Sequence, residues 1–166
     1  MRIKVFILLL LITASAPLSS SAIFTPFVNL NITVNSQGGD GTFPFTVKSY
    51  MPVYDEETDT TKNEWQVYGN FSLQTENSTA SIHDYRIYTH PDSYSIEQED
   101  IPGWKVQSVE CTSADSNNRF YYGQNKVTLH NLQGYSTINC VFNNVPVSDK
   151  TPVLIVPGIM GTEMKK

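Results

Sequence analysis

Residues 27–48 read FVNLNITVNSQGGDGTFPFTVK. Val28, Leu30, Ile32 and Val34 alternate with Asn29, Asn31 and Thr33, the period of a strand with one face buried. QGGDGT follows, and its glycines can take positive φ at no steric cost, which marks a turn. Phe43, Phe45 and Val47 then alternate in the same way. Pro44 has no N–H to give to a ladder, so its strand is expected at a sheet edge or with that position pointing outward. The two runs together predict a β-hairpin.

The same pattern continues along the chain. Val67, Phe71 and Leu73 mark another strand in WQVYGNFSLQTENSTASI. In DSYSIEQEDIPGWKVQSVECTS, Tyr94 and Ile96 share a face, and Pro102-Gly103 separates them from a strand opening at Trp104. Val109 and Cys111 are out of step with Trp104 and Val106, which places a bulge near Gln107-Ser108. NKVTLH and YSTINCVFNN read as a closing pair, with Ile138, Cys140 and Phe142 on one face. MPVYDEETDTTKNEW, at 51–65, has no periodicity and reads as an exposed acidic loop. No run of ten residues shows helical period. About eight short strands parted by turn signals predict an all-β, antiparallel sandwich.

The ends read differently. Arg2 and Lys4 precede an apolar run from Val5 to Ile12 and then small residues, the layout of a secretory signal peptide over residues 1–22, cut after Ala22. The apolar run is short for a membrane span of about 20 residues. No transmembrane segment is expected after cleavage. Taking Arg2 and Lys4 from the 11 basic residues leaves 9 against 16 acidic ones, a net charge of −7. Such a surface repels nucleic acid and anionic lipid. The domain is expected over 23–144, with a polar, proline-bearing linker at 145–151 and a short tail at 152–166.

Two cysteines, Cys111 and Cys140, make an even count in an exported chain, which reads as a disulfide. No metal or cofactor site is expected, since His83, His90 and His130 are scattered and no Gly-x-Ser-x-Gly elbow surrounds a serine. Asp55, Glu56, Glu57 and Asp59 offer carboxylates but lack the spacing and glycine of a calcium loop, so they read as a solvated charge run. Asn31, Asn70 and Asn77 open glycosylation sequons, which matter only in a glycosylating host. Trp65, Tyr68, Phe71, Tyr121 and Tyr122 read either as a contact surface for sugar or protein or as sheet packing.

The order GGDGTFPFTV, GNFSLQT, YSIEQEDIPGW, VECTS, VTLHNLQG and INCVFNN resembles the SpaA-like and Cna-B-like prealbumin domains of bacterial surface proteins. The resemblance spans about Val28 to Asn144 and implies a transthyretin-type sandwich. It further implies a Lys–Asn isopeptide bond, promoted by an acid at Glu97 with Asn143 or Asn144 as acceptor. The donor belongs in the first strand, where NLNITVNSQ holds no lysine; Lys48, on the next strand, is nearest. The sequence therefore favours Glu97 as a solvated strand residue and the cysteine bridge as the staple. Asp92-Ser93 and the acidic stretch at 55–59 depart from the family pattern.

The tail PVLIVPGIMGTEM resembles the opening of α/β-hydrolase lipases of the lecithin:cholesterol acyltransferase-like group. There a buried strand ends in a turn whose backbone N–H groups face a developing oxyanion. By position, Gly158, Met160 and Gly161 match that turn. Nucleophile, acid and histidine would lie further downstream, so the chain as given is expected to be non-catalytic. The expectation is a secreted or cell-surface accessory module that acts as spacer, stabiliser or attachment unit, with a C-terminal hydrolase domain in cis. The alternative is a free-standing adhesion module for a cell-surface or extracellular protein or glycan.

Overall fold

The computed structural model describes residues 26–147. The signal-peptide region, most of the linker and the hydrolase-like tail lie outside the described residues. Nine strands follow in order: β1 (Phe27–Ser36), β2 (Thr42–Asp55), β3 (Thr60–Gln74), β4 (Thr79–Tyr88), β5 (Ser93–Gln98), β6 (Trp104–Ser113), β7 (Arg119–Tyr122), β8 (Lys126–His130) and β9 (Thr137–Pro146). They form a four-stranded sheet, β4-β1-β9-β6, facing a five-stranded sheet, β3-β2-β5-β8-β7. All pairs are antiparallel except β1 with β9, which run parallel. The fold is the prealbumin-like sandwich, and β9 continues two residues past the boundary expected at 144.

The alternation read from the sequence assigns faces correctly. Val28, Leu30, Ile32 and Val34 of β1, Phe43, Phe45 and Val47 of β2, Tyr94 and Ile96 of β5, and Ile138, Cys140 and Phe142 of β9 are all fully buried, and Val127 and Leu129 of β8 join them. Phe45 sits at the centre, edge-on to Phe142 of the facing sheet and stacked on Phe71 of its own. Each fully buried side chain of this size contributes about 1.5–3 kcal/mol. The bulge appears where expected, with Gln107 dropped from the register between Val106 and Ser108.

Two pairings read from the sequence are wrong. β1 and β2 make no hairpin: they lie in opposite sheets, joined by an arch. The arch is held by Ser36 Oγ donating to the Gly39 carbonyl (2.7 Å), by the Gly41 N–H donating to Thr75 Oγ1 (2.8 Å), and by the Gln37 N–H donating to the Asn144 carbonyl (2.9 Å). Gly38 (φ 97°) and Gly39 (φ 146°) supply the backbone it needs. β8 and β9 likewise belong to opposite sheets rather than closing on each other. Alternation shows which residues face a core, and two strands can share that core side by side or face to face. Pro44 is no edge marker either, since β2 lies between β3 and β5. Its carbonyl accepts the Glu99 N–H just past the end of β5, so its missing donor falls where that partner has stopped.

The expected acidic loop is a two-stranded ribbon. Met51–Asp55 pairs with Thr60–Glu64, and the Asp55 carboxylate accepts the Glu57 and Thr58 N–H groups at its tip. No residue of the ribbon is fully buried: Met51 and Val53 are half-buried and Thr60–Glu64 is exposed, so the hydrophobic alternation is too weak to read. Tyr50 against Trp65 anchors its base.

Tyr68 falls at a bulge between Val67 and Gly69, which turns its ring onto Tyr94 and Tyr85 and closes the β3/β4 side of the core. Gly69 leaves room there for the Tyr85 hydroxyl, which a Cβ would displace. On the other side, Tyr122 reaches from β7 to β6, where its hydroxyl accepts the Cys111 N–H (3.1 Å) and donates to the Cys111 carbonyl (3.3 Å). That contact occupies part of an edge otherwise open to another chain.

Burial, and then the neighbouring Tyr68, push the Tyr94 phenol well above its ordinary value; burial also raises Tyr68 and Tyr85. A raised phenol contributes stability that is complete below the unfolded value of 10.0 and is lost as pH climbs past it, because only the unfolded chain ionises there. Tyrosinate absorbance should therefore show Tyr94 resisting titration until the chain unfolds. Tyr94→Phe should keep more of its neutral-pH stability above that point than the parent does.

Candidate functional site

The residues singled out for covalent chemistry do not converge. Strand alternation turns Tyr94, Ile96 and Gln98 inward and Glu97 outward. Glu97 pairs with Lys48 on the outer face of the five-stranded sheet, Oε2 to Nζ 3.0 Å, with both side chains about one-third exposed. Asn143 lies on the opposite outer face, accepting from Asn35 Nδ2 and donating to Ser108 Oγ, each at 2.9 Å. Only Asn144 is interior. An isopeptide bond needs amine, amide and a protonated acid buried together so that their pKa values shift. Here amine and acid sit as an ion pair on one side of a sheet, and the amide lies on the other.

The interior position beside Asn144 is taken by Gln98 instead. Gln98 Nε2 donates to Asn144 Oδ1 (2.8 Å), and Asn144 Nδ2 donates to Gln98 Oε1 (3.0 Å). Both are buried, and the pair links the two sheets. Ser36, the register partner of Asn144 on β1, adds a second buried contact, its Oγ lying 3.1 Å from Thr75 Oγ1. Sequence reasoning missed Gln98, Ser36 and Thr75. The signal was present: extending the alternation of Tyr94 and Ile96 by one step puts a polar side chain on the core face.

Cys111 and Cys140 face each other in register on β6 and β9, bonded within the core at a Cα–Cα distance of 4.1 Å. The bridge closes a 29-residue separation, worth about 3.5 kcal/mol in the chain-entropy account.

These features are those of a stapled sandwich, and the sequence of the domain agrees. Residues 30–146 match the family model SpaA_4, a prealbumin-like fold domain. The chain belongs to that family. Among solved structures, this SpaA_4 domain is similar to a bacterial adhesin from Mobiluncus mulieris containing intramolecular disulfide, isopeptide and ester bond cross-links. The identity is 14% and the TM-score 0.36, over 75% of this chain and 42% of that one. It is also similar to the major pilin from Streptococcus pyogenes, at 13% identity and TM-score 0.34, over 73% of this chain and 47% of that one. The chain thus spans under half the length of these solved proteins. A search of the curated proteins finds no match.

The remaining candidates take structural places in the SpaA_4 domain. Asp55 serves the ribbon turn, where the Thr58 hydroxyl, then the Thr58 and Glu57 N–H groups and Lys62, hold it below its ordinary value. Asp59 accepts from Tyr54 Oη. No group of three or more metal-ligating side chains occurs among the described residues. His83 and His90 are exposed, and His130 Nδ1 hydrogen-bonds Ser93 Oγ at 2.6 Å, tying β8 to β5. Asn31 is engaged through Asn139 and the Asp84 N–H. Of the aromatic candidates, Tyr68, Phe71 and Tyr122 pack or cap, while Trp65 and Tyr121 stand exposed on the outer face of the five-stranded sheet. No helix among the described residues is long and apolar enough to cross a membrane.

Asn144→Ala strands the Gln98 amide in the interior. Denaturant unfolding should show a loss of about 1–3 kcal/mol. The double replacement Gln98→Ala with Asn144→Ala should cost less than the two single losses added together, because the partners act as one unit.

Proposed function

We propose that this domain is an extracellular load-bearing spacer, a structural module of the kind found in surface proteins, which transmits tension between whatever precedes Phe27 and whatever follows Pro146. The observation that supports this reading is the parallel pairing of β1 with β9 over eight registered positions, from Asn29↔Thr137 to Ser36↔Asn144. Parallel neighbours enter at one end of the sheet and leave at the other. A ten-residue strand at about 3.3 Å per residue separates entry from exit by roughly 33 Å. Tension along that line shears every bond of the ladder together instead of opening them one at a time.

The staples suit the same task. The disulfide holds β9 to β6, so the 29-residue span through β7 and β8 cannot be drawn out once β1 yields. A disulfide also accords with an oxidising, exported setting, as does the leader-like N-terminal sequence. Gln98–Asn144 and Ser36–Thr75 tie the interior next to the shearing strands without covalent chemistry.

A second reading keeps this role and adds an enzyme. The stretch PVLIVPGIMGTEM favours it, with Gly158, Met160 and Gly161 forming the oxyanion turn of a lipase-like domain in cis. In that arrangement the sandwich holds the hydrolase away from its attachment point.

Single-molecule pulling tests the load path. Handles beyond the two ends should give one cooperative rupture. Its force should exceed that found with handles on Asn29 and Thr137, register partners whose separation opens the same ladder like a zipper. Replacing both cysteines by serine should lengthen the unfolded chain by about 10 nm, taking roughly 3.6 Å for each released residue. End-to-end rupture no stronger than the zipper geometry would overturn the proposal.

A further inference from the structure

At the end of the sandwich where β1 enters, the turns between strands leave a polar cleft that the load path does not use. Residues 89–92 between β4 and β5, Asn117 and Arg119 beside the start of β7, and residues 131–133 after β8 enclose about 400 Å³. Sites for small ligands have volumes upward of about 300 Å³.

Hydrogen bonds set the walls in place. Asn118 is 5% exposed and joins two of the turns: its Nδ2 donates to Ser113 Oγ (2.7 Å), and its Oδ1 accepts the Gln133 N–H (3.2 Å). Ser136 Oγ donates to the Gln133 carbonyl at 2.7 Å. Thr89 ties the third turn to the entering chain, its N–H (3.2 Å) and its hydroxyl (3.3 Å) both donating to the Pro26 carbonyl. Arg119 Nη1 donates to the Ser116 carbonyl at 2.7 Å, which orients the guanidinium and leaves its other N–H groups unbonded among the described residues. A cleft shaped before a ligand arrives loses less freedom on binding.

The groups that line it are uncommitted. The side chains of His90, Asp92, Asn117 and Asn131 make no hydrogen bond or ion pair among the described residues. Asp92 and Arg119 line the same space without pairing, so one anion and one cation are both available to a ligand, and their charges cancel. Guanidinium and carboxylate each present paired atoms in a plane, the one donating and the other accepting, which matches two hydroxyls on adjacent ring carbons. The carboxamides both donate and accept, as a sugar hydroxyl does. Apolar lining is limited to Leu132 and the buried Pro91. A protein partner draws its affinity from aromatic and aliphatic anchors seated in pockets, and this cleft has no socket for one. An anionic ligand would meet the field of an acidic chain.

We infer that this cleft binds a neutral hexose unit at the end or a branch of a glycan, with Asp92 and Arg119 each holding a pair of ring hydroxyls and Asn117 and Asn131 completing the hydrogen bonds around them. The site goes beyond the load-bearing role and does not rest on it.

The test is the purified chain on an array of neutral and sialylated oligosaccharides, followed by NMR titration with the neutral oligosaccharide bound most tightly. Expected is saturable binding of neutral glycans that moves the signals of His90, Asp92, Arg119 and Asn131, while those of Trp65 on the outer sheet face stay still. Asp92→Ala and Arg119→Ala should each weaken binding about tenfold or more, the worth of one charge-assisted hydrogen bond. Both variants change exposed side chains, and their dispersed spectra report that the sandwich is intact. Four results would overturn the inference: no neutral glycan bound, sialylated glycans bound more tightly than neutral ones, shifts confined to another surface, or binding unchanged in either folded variant.

Discussion

The β1–β9 ladder joins the first and last strands of the sandwich, and the rest of the molecule depends on it. It is the only parallel pair among the described strands, and it lies at the centre of its sheet, between β4 and β6. Every other strand reaches this sheet through a neighbour in the ladder or faces it across the core. A contact between chain ends is expensive to form, because the intervening loop must close first. Once formed, it makes the middle of the chain a captive of its ends.

Polar groups inside the sandwich finish what the apolar core begins. Gln98 and Asn144 satisfy each other across the two sheets, and Ser36 and Thr75 do the same at the arch. The disulfide lies on the same strand as Asn144 and faces the same interior. Cys140 and Asn144 thus hold β9 to its surroundings on either side of Phe142. The amide pair is neutral and carries no acid to promote condensation, whereas the nearest amine and carboxylate neutralise each other outside. The interior is thus stapled by one covalent bridge between sulfurs and by reciprocal hydrogen bonds.

Much of this was legible in the residues. Period-two alternation placed the apolar residues of β1, β2, β5 and β9 on the core, and the phase slip before Val109 put the bulge near Gln107-Ser108. Partnership was not legible, because a face pattern is the same whether two strands lie side by side or across a core. That ambiguity produced the false β1–β2 hairpin and the false β8–β9 pair. The ribbon at 51–64 escaped notice because a strand pair with no fully buried residue writes only a faint hydrophobic pattern. Glu97 was singled out by motif position, while its neighbour Gln98 holds the interior place; one more step of the same alternation separates them.

Native-state hydrogen exchange measures the central claim most directly. If the β1–β9 ladder holds the fold together, amides of β1 and β9 around Leu30, Ile32, Val34 and Phe142 should be among the last to exchange. They should do so with the free energy of global unfolding, and no smaller opening should release β1 alone. Exchange of the β1 amides well before those of β5 and β8 would show that the first strand peels away from an intact sandwich, and would contradict the account.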